Sequence, residues 1–146
     1  MTTAVKSTEA DSIAVALDAI GDRWSLLVLR AIFTGTYRFS ELRDEVGIAS
    51  NLLTTRLGRM VDDGVLEKVA YQERPPRFEY RLTDAGRDLS PVLVSLMQWG
   101  DRHRTGSSPS TVLGHATCGA PIENVTRCTS CGTTVGAADI RKIDPR

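Results

Sequence analysis

Long hydrophobic runs, net charge and a leader pattern are all missing from this sequence of 146 residues. No apolar run approaches the roughly 18 residues that a membrane-spanning helix needs, so we expect no contact with a membrane. The first six residues lack the hydrophobic centre of a signal peptide. These absences predict a cytoplasmic protein, in which thiols are kept reduced.

The charge balance limits how the chain could bind nucleic acid. Its 18 basic and 18 acidic side chains cancel, which argues against a protein that coats nucleic acid non-specifically. A local basic patch could still serve sequence-specific binding while acids elsewhere cancel its charge. Hydrophobic residues make up 41% of the chain, enough to build the core of one domain with a small appendage.

The usual signatures of catalysis are also missing. The sequence shows no nucleophile–base pair, no glycine-rich phosphate loop and no open metal site. We therefore expect a protein that is not an enzyme.

Two helical patterns separated by a glycine dominate the middle of the chain. Residues 39–46 form a short amphipathic pattern, and Gly47 suits the tight turn that follows. Ser50 offers a hydroxyl cap to a longer pattern, which Gly64 ends at about residue 63. This order predicts a helix-turn-helix, whose second helix enters the major groove of DNA.

The side of this second helix opposite Leu57 is polar. Amide, hydroxyl and guanidinium groups are what base edges and phosphates accept. A surface helix also shows polar residues opposite its core stripe, so this helix alone leaves both interpretations open. The residues that would contact DNA are Ser50, Asn51, Thr54, Thr55, Arg56 and Arg59.

A hairpin pattern follows directly. Residues 65–71 and 78–83 read as two strands, and the polar, proline-rich residues 72–77 read as the turn between them. A hairpin behind a recognition helix is the wing of a winged helix, and Arg74 and Arg77 at its tip could reach phosphate or the minor groove. Residues 37–38 could add a short third strand.

Helical patterns flank this centre on both sides. Residues 11–20 and 23–33 are two helices, and Thr83 caps a third that Ser90–Pro91 re-initiates. An apolar stripe then runs down to Gly100, through Leu93, Leu96, Met97 and Trp99. Such a stripe needs a partner, and both an intramolecular core and a homodimer interface are open.

Five motifs resemble those of the HxlR-type transcriptional regulators: IGDRW at 20–24, RFSEL at 38–42, LTTRL at 53–57, DGVL at 63–66 and RPPRFEYRLTDAG at 74–86. The resemblance covers residues 11–101. It implies a winged-helix regulator that binds an inverted-repeat operator as a homodimer, with its terminal helices making the dimer. Such regulators commonly carry a cysteine where this chain has Asp11, so thiol sensing by that route is excluded. The small-molecule effector, if one exists, is therefore open.

The C-terminal part carries a separate motif. His115, Cys118, Cys128 and Cys131 follow the spacing H-x2-C, nine residues, C-x2-C, and each half ends in glycine. This pattern is typical of a structural zinc ribbon, with short strands at residues 112–113 and 122–125. The alternative is a vestigial hairpin with three unligated thiols; a thioredoxin-like role is disfavoured because no βαβ pattern surrounds it.

Together these patterns predict an α+β, mainly α fold: a winged helix-turn-helix with a two- or three-stranded wing, flanking dimerisation helices and a small β extension. We expect a flexible N-terminus (1–10), a DNA-binding and dimerisation domain (11–104), a linker (105–111) and a zinc-ribbon-like extension (112–146). The predicted function is a sequence-specific regulator, most simply a repressor. The alternative is a winged-helix protein-interaction module whose extension docks a partner protein.

Overall fold

The computed structural model describes residues 11–106, 109 and 111–143, and it confirms a mainly helical winged helix-turn-helix. The predicted flexible N-terminus and part of the predicted linker lie outside these residues. In chain order the elements are α1 (Ser12–Ile20), α2 (Arg23–Phe33), α3 (Phe39–Val46), α4 (Ser50–Asp62), β1 (Leu66–Gln72), β2 (Arg77–Leu82), α5 (Asp84–Arg87) and α6 (Ser90–His103), then a 3₁₀ turn at Ala137–Asp139.

Short polar side chains cap α1, α2 and α5 at their N-termini. Asp11 accepts from the amides of Ile13 and Ala14, at 2.9 and 3.1 Å, which satisfies two amides that the first turn of α1 leaves open. Thr83 caps α5 in the same way, as predicted, by accepting from the Gly86 amide at 3.1 Å.

The predicted cap of α4 is wrong. Ala49, not Ser50, takes the extended cap conformation, and Ser50 is already the first helical residue. The turn after Gly47 contains one non-helical residue fewer than the sequence pattern suggested, so Ser50 lies inside the helix and makes no cap hydrogen bond.

A hydrophobic core joins α2, α3, α4 and the start of β1. Their apolar positions recur at helical spacing, so each helix turns one stripe inward. The largest fully buried side chains are Val28, Leu29, Ile32, Leu42, Leu53, Leu57, Met60 and Leu66. This core fixes the helix-turn-helix as one rigid scaffold.

The wing is a two-stranded antiparallel hairpin. Its register runs from Leu66 opposite Leu82 to Ala70 opposite Phe78, and a bulge follows before Gln72 meets Arg77. The predicted third strand does not form within the described residues, since Tyr37 contributes one hydrogen bond, accepting from the Tyr80 amide at 2.8 Å. One bond cannot make a ladder.

Contacts divide the chain into two compact units, residues up to Ser90 and residues from Pro91. In the second unit the extension is tied to α6, because Gln98 donates to the Ile122 carbonyl at 2.8 Å and Asn124 donates to the Ser95 hydroxyl at 2.8 Å. The predicted domain boundaries at 105–111 stay a prediction.

The prediction of short strands in the extension, at residues 112–113 and 122–125, is wrong, because neither segment forms a strand. Isolated bridges pair Gly114 with Pro121 and Arg127 with Thr134 instead. Each hairpin is too short to extend its ladder beyond one pair. Among the described residues, no helix combines the length and apolar character that crossing a bilayer requires.

Candidate nucleic-acid interface

The turn between α3 and α4 sets the angle at which α4 is presented. Gly47 adopts a left-handed conformation, with φ of 73°, and its amide donates to the Arg43 carbonyl at 2.9 Å. The next side chain, Ile48, is buried. Since glycine adopts this conformation without strain, the chain reverses here and α4 leaves the turn with its polar side outward.

Four of the predicted DNA-binding residues lie together on the first turns of α4. Ser50, Asn51, Thr54 and Thr55 are all exposed. The Thr54 hydroxyl donates to the Ser50 carbonyl at 2.9 Å, and the Thr55 hydroxyl donates to the Asn51 carbonyl at 3.0 Å. These hydroxyls therefore offer acceptor oxygens outward, while the Asn51 amide offers both donors and an acceptor.

Arg56 faces a different way. Its Nε lies 3.4 Å from Oδ1 of Asp22, and only 24% of its side chain is exposed. Asp22 is also the cap of α2, accepting from the Ser25 amide at 3.0 Å and the Ser25 hydroxyl at 2.5 Å. Burial raises the pKa of Asp22, but these hydrogen bonds and the Arg56 charge outweigh it and lower the pKa. Arg56 thus joins α4 to the start of α2.

Arg59 is tied to the end of α1. Its Nη2 donates to the Asp18 carbonyl at 2.6 Å, although the side chain is half exposed. A guanidinium is favourable there because the last carbonyls of a helix carry partial negative charge. Both arginines of α4 consequently contact their own chain, and these partners, 34 and 41 positions away, could not be recognised from the sequence pattern.

The wing tip presents the other two predicted residues. Arg74 and Arg77 are exposed at the turn between β1 and β2. Gln72 braces this turn by donating to the carbonyls of Arg74 and Pro75, both at 3.2 Å. The backbone is therefore held by the chain while the two guanidinium groups face solvent.

A groove between the start of α3 and the wing adds residues that the sequence analysis missed. The cavity measures about 520 Å³, and Arg38, Lys68 and Arg77 line it. The Arg38 guanidinium lies 4.3 Å from the Tyr71 ring centre, and the Lys68 ammonium lies 4.5 Å from that of Phe78. The aromatic rings hold these cations in place. The alternation of side chains along the two strands could have indicated that Lys68 and Phe78 lie on the same face of the hairpin.

The predicted metal ligands are brought together as two pairs. His115 Nδ1 lies 3.3 Å from Cys118 Sγ. The pKa of the Cys131 thiol is lowered to about 7, chiefly by hydrogen bonds with the hydroxyl and amide of Thr133 and also with Cys128. Within the described part of the chain, no three or more His, Cys, Asp or Glu side chains gather closely enough to hold an ion as placed.

Comparison with known proteins agrees with this geometry. The family model described as HxlR-like helix-turn-helix matches residues 19–108. The uncharacterised HTH-type transcriptional regulator Rv3095 of Mycobacterium tuberculosis is 41% identical over 133 residues, which is 90% of this chain and 84% of that protein.

Two solved structures are similar over most of their own length. PA1607, described as a candidate transcription factor, is 35% identical with a TM-score of 0.84, over 94% of this chain and 97% of that one. The redox regulator HypR in its reduced form is 31% identical with a TM-score of 0.61, over 65% of this chain and 95% of that one. The chain belongs to the HxlR-like helix-turn-helix family.

Proposed function

We propose that this protein is a transcriptional regulator, most simply a repressor, that binds an inverted-repeat operator as a homodimer in the cytoplasm. The main observation in support of DNA binding is that the start of α4 is polar and exposed, beside a wing with two exposed arginines. Relatives described as HTH-type regulators support the same function. A dimer bound across a promoter blocks access to it, which is why we favour repression.

Each part of this surface has a distinct role in the proposal. Asn51 reads a base edge in the major groove, where an amide pairs best with adenine, and the hydroxyls of Thr54 and Thr55 accept from neighbouring groups. Arg74 and Arg77 contact phosphate or enter the minor groove. The missed cations Arg38, at the start of α3, and Lys68, on β1, add phosphate contacts beside the first helix of the motif, which crosses the DNA backbone in this class of fold.

The arginines of α4 act differently in this proposal. Since Arg56 pairs with Asp22 and Arg59 with the Asp18 carbonyl, both hold α4 against its neighbours. Arg59 is half exposed and keeps spare donors for a phosphate, whereas Arg56 has little exposed surface left. We therefore rank Arg59 above Arg56 as a DNA contact.

Exposed apolar residues on α6 support the homodimer. Val92, Leu96 and Trp99 recur at i, i+4 and i+7 and are 43%, 48% and 49% exposed. They line a cavity of about 500 Å³ together with Pro91 and Ser95. A second copy would cover this face, and a two-fold dimer would place its two α4 helices at half-sites about 34 Å apart.

The N-terminal helix shows a comparable face. Ile13 and Leu17 lie one turn apart on the same side of α1 and are 71% and 55% exposed. Burying such side chains contributes roughly 1.5–3 kcal/mol each when complete. We propose that α1 is covered in the dimer as well. A small-molecule effector stays a prediction, and no cavity is assigned to it.

The test is the salt dependence of binding to sites recovered from genomic DNA. We expect the affinity to fall steeply as salt rises, because bound phosphates release counterions. Arg74→Ala and Arg77→Ala should each flatten the slope by about one unit in a fluorescence anisotropy titration. Arg127→Ala, an exposed arginine of the extension, is the matched control and should leave the slope unchanged.

A second candidate is a protein-interaction module, favoured by exposed apolar side chains on the extension such as Val112, Val125 and Ile140. The same titration separates the two functions. An apolar protein contact need not weaken with salt, and it would not depend on the wing arginines. Recovery of no DNA site above background would favour the module.

A further inference from the structure

The extension contains two backbone turns of the same kind. In the first, the Gly119 amide donates to the His115 carbonyl at 2.7 Å; in the second, the Gly132 amide donates to the Cys128 carbonyl at 3.0 Å. Both glycines are left-handed, with φ of 72° and 73°. The two segments, H-x2-C-G and C-x2-C-G, therefore fold alike despite their different sequences.

Each turn closes at equivalent positions. The His115 amide donates to the Ala120 carbonyl at 2.8 Å, and the Cys128 amide donates to the Thr133 carbonyl at 2.9 Å. The first and fourth side chains of a turn consequently leave on the same side. This is how a chain presents two ligands to one ion from a short loop.

The first pair has nearly the separation that zinc imposes. His115 Nδ1 and Cys118 Sγ are 3.3 Å apart. Two ligands at about 2.3 Å (sulfur) and about 2.0 Å (nitrogen) from a tetrahedral ion lie about 3.5 Å apart. The separation of the ring nitrogen and the sulfur, which are in hydrogen-bond contact, is therefore close to the one that two ligands of a shared ion would have.

An independent observation is that the extension has no core of its own. Among residues 111–143, every side chain is exposed or half-buried, and Val112, Val125, Ile140 and Ile143 are 64%, 52%, 61% and 73% exposed. Apolar burial at this size rarely stabilises a fold, so such modules usually rely on a metal or on disulfides. Three cysteines cannot all pair within one chain, which favours the metal.

We propose that the extension binds one zinc ion through His115, Cys118, Cys128 and Cys131. The ion draws the two turns together, because the structure places their ligands as two separate pairs. Since the protein fills all four tetrahedral positions, no site is open for a substrate and the ion is structural. It stabilises the extension by linking hairpins that share no apolar core.

The direct test is the metal content of the full-length protein, purified without chelators and analysed by mass spectrometry. We expect one zinc per chain in the wild type and a loss of at least tenfold in Cys128→Ser. His103→Ala removes the other histidine, which is exposed on α6, and should keep the full content. Zinc below one tenth per chain after reconstitution, or full content in Cys128→Ser, would overturn the proposal.

A second measurement does not depend on how the variants fold. We expect alkylation of the three wild-type thiols to be slow with zinc bound and fast after a strong chelator is added. Cobalt in place of zinc should give the visible absorption of a tetrahedral thiolate site. Equal alkylation rates with and without chelator would refute the site.

Discussion

The contact between Arg56 and Asp22 gives the sharpest test of how α4 is held. The change is a double-mutant cycle with Arg56→Gln, Asp22→Asn and the double variant. Asparagine keeps an oxygen that can cap α2 and accept from Ser25, so the cycle isolates the ion pair from the cap.

The magnitude follows from the geometry. At 3.4 Å the attraction between the two charges is about 5 kcal/mol if the effective dielectric constant is about 20. Desolvation and side-chain ordering offset most of it, because only 24% and 32% of the two side chains stay exposed and both charges lose much of their hydration. We expect a net coupling of about 1 kcal/mol in the free energy of unfolding.

Acid should remove this coupling. The pKa of Asp22 is lowered in the folded chain, so its carboxylate stabilises the fold at neutral pH. That contribution is lost as the pH falls below about 4, the ordinary pKa of aspartate, and through the lower folded-state pKa. Urea unfolding of the four proteins at pH 7 and pH 3 measures both values.

The operator affinity of the same variants decides whether Arg56 contacts DNA. If it positions α4, Arg56→Gln should change operator affinity less than threefold at a temperature where the variant is folded. A coupling below about 0.3 kcal/mol, which is within the usual deviation from additivity of independent sites, combined with a tenfold loss of affinity would refute this reasoning. In that case Arg56 leaves Asp22 to bind the duplex.

Further predictions concern packing and assembly. Gly86→Ala should lower the free energy of unfolding by about 1–3 kcal/mol, because an added Cβ would lie 2.2 Å from the Val65 carbonyl oxygen. Gly58→Ala, whose added Cβ would meet open space, should raise the free energy of unfolding by about 0.5–1 kcal/mol in the same denaturation assay. Leu96→Glu should convert a dimer to monomers in analytical ultracentrifugation, whereas Ile140→Glu, at an apolar site that is 61% exposed against 48% for Leu96, should not. A Leu96→Glu protein that stays dimeric would exclude the α6 face.

The local elements could be read from the sequence because their signals are local. Periodicity and the punctuation by Gly47 and Gly64 gave α3 its observed bounds and α4 to within one residue. The wing strands were each displaced by one residue, since a bulge near the tip has no clear sequence signature.

Tertiary partners could not be read in the same way. Periodicity shows which side of α4 is polar. It does not show that Arg59 contacts the Asp18 carbonyl or that Arg56 pairs with the Asp22 carboxylate. The groove cations were missed because Arg38 and Lys68 come together only when the hairpin folds back on α3. The exposure of Ile13 and Leu17 was missed for the same reason, because an apolar pattern on a helix does not show which surface, if any, packs against it.

The most direct test of the central claim compares a recovered operator with a scrambled duplex for wild type and Asn51→Ala. If α4 reads bases, the variant should lose about tenfold in affinity for the operator, worth roughly 1.4 kcal/mol, and almost none for the scrambled duplex. Equal losses on both duplexes, or no loss on either, would contradict base reading by the exposed face of α4.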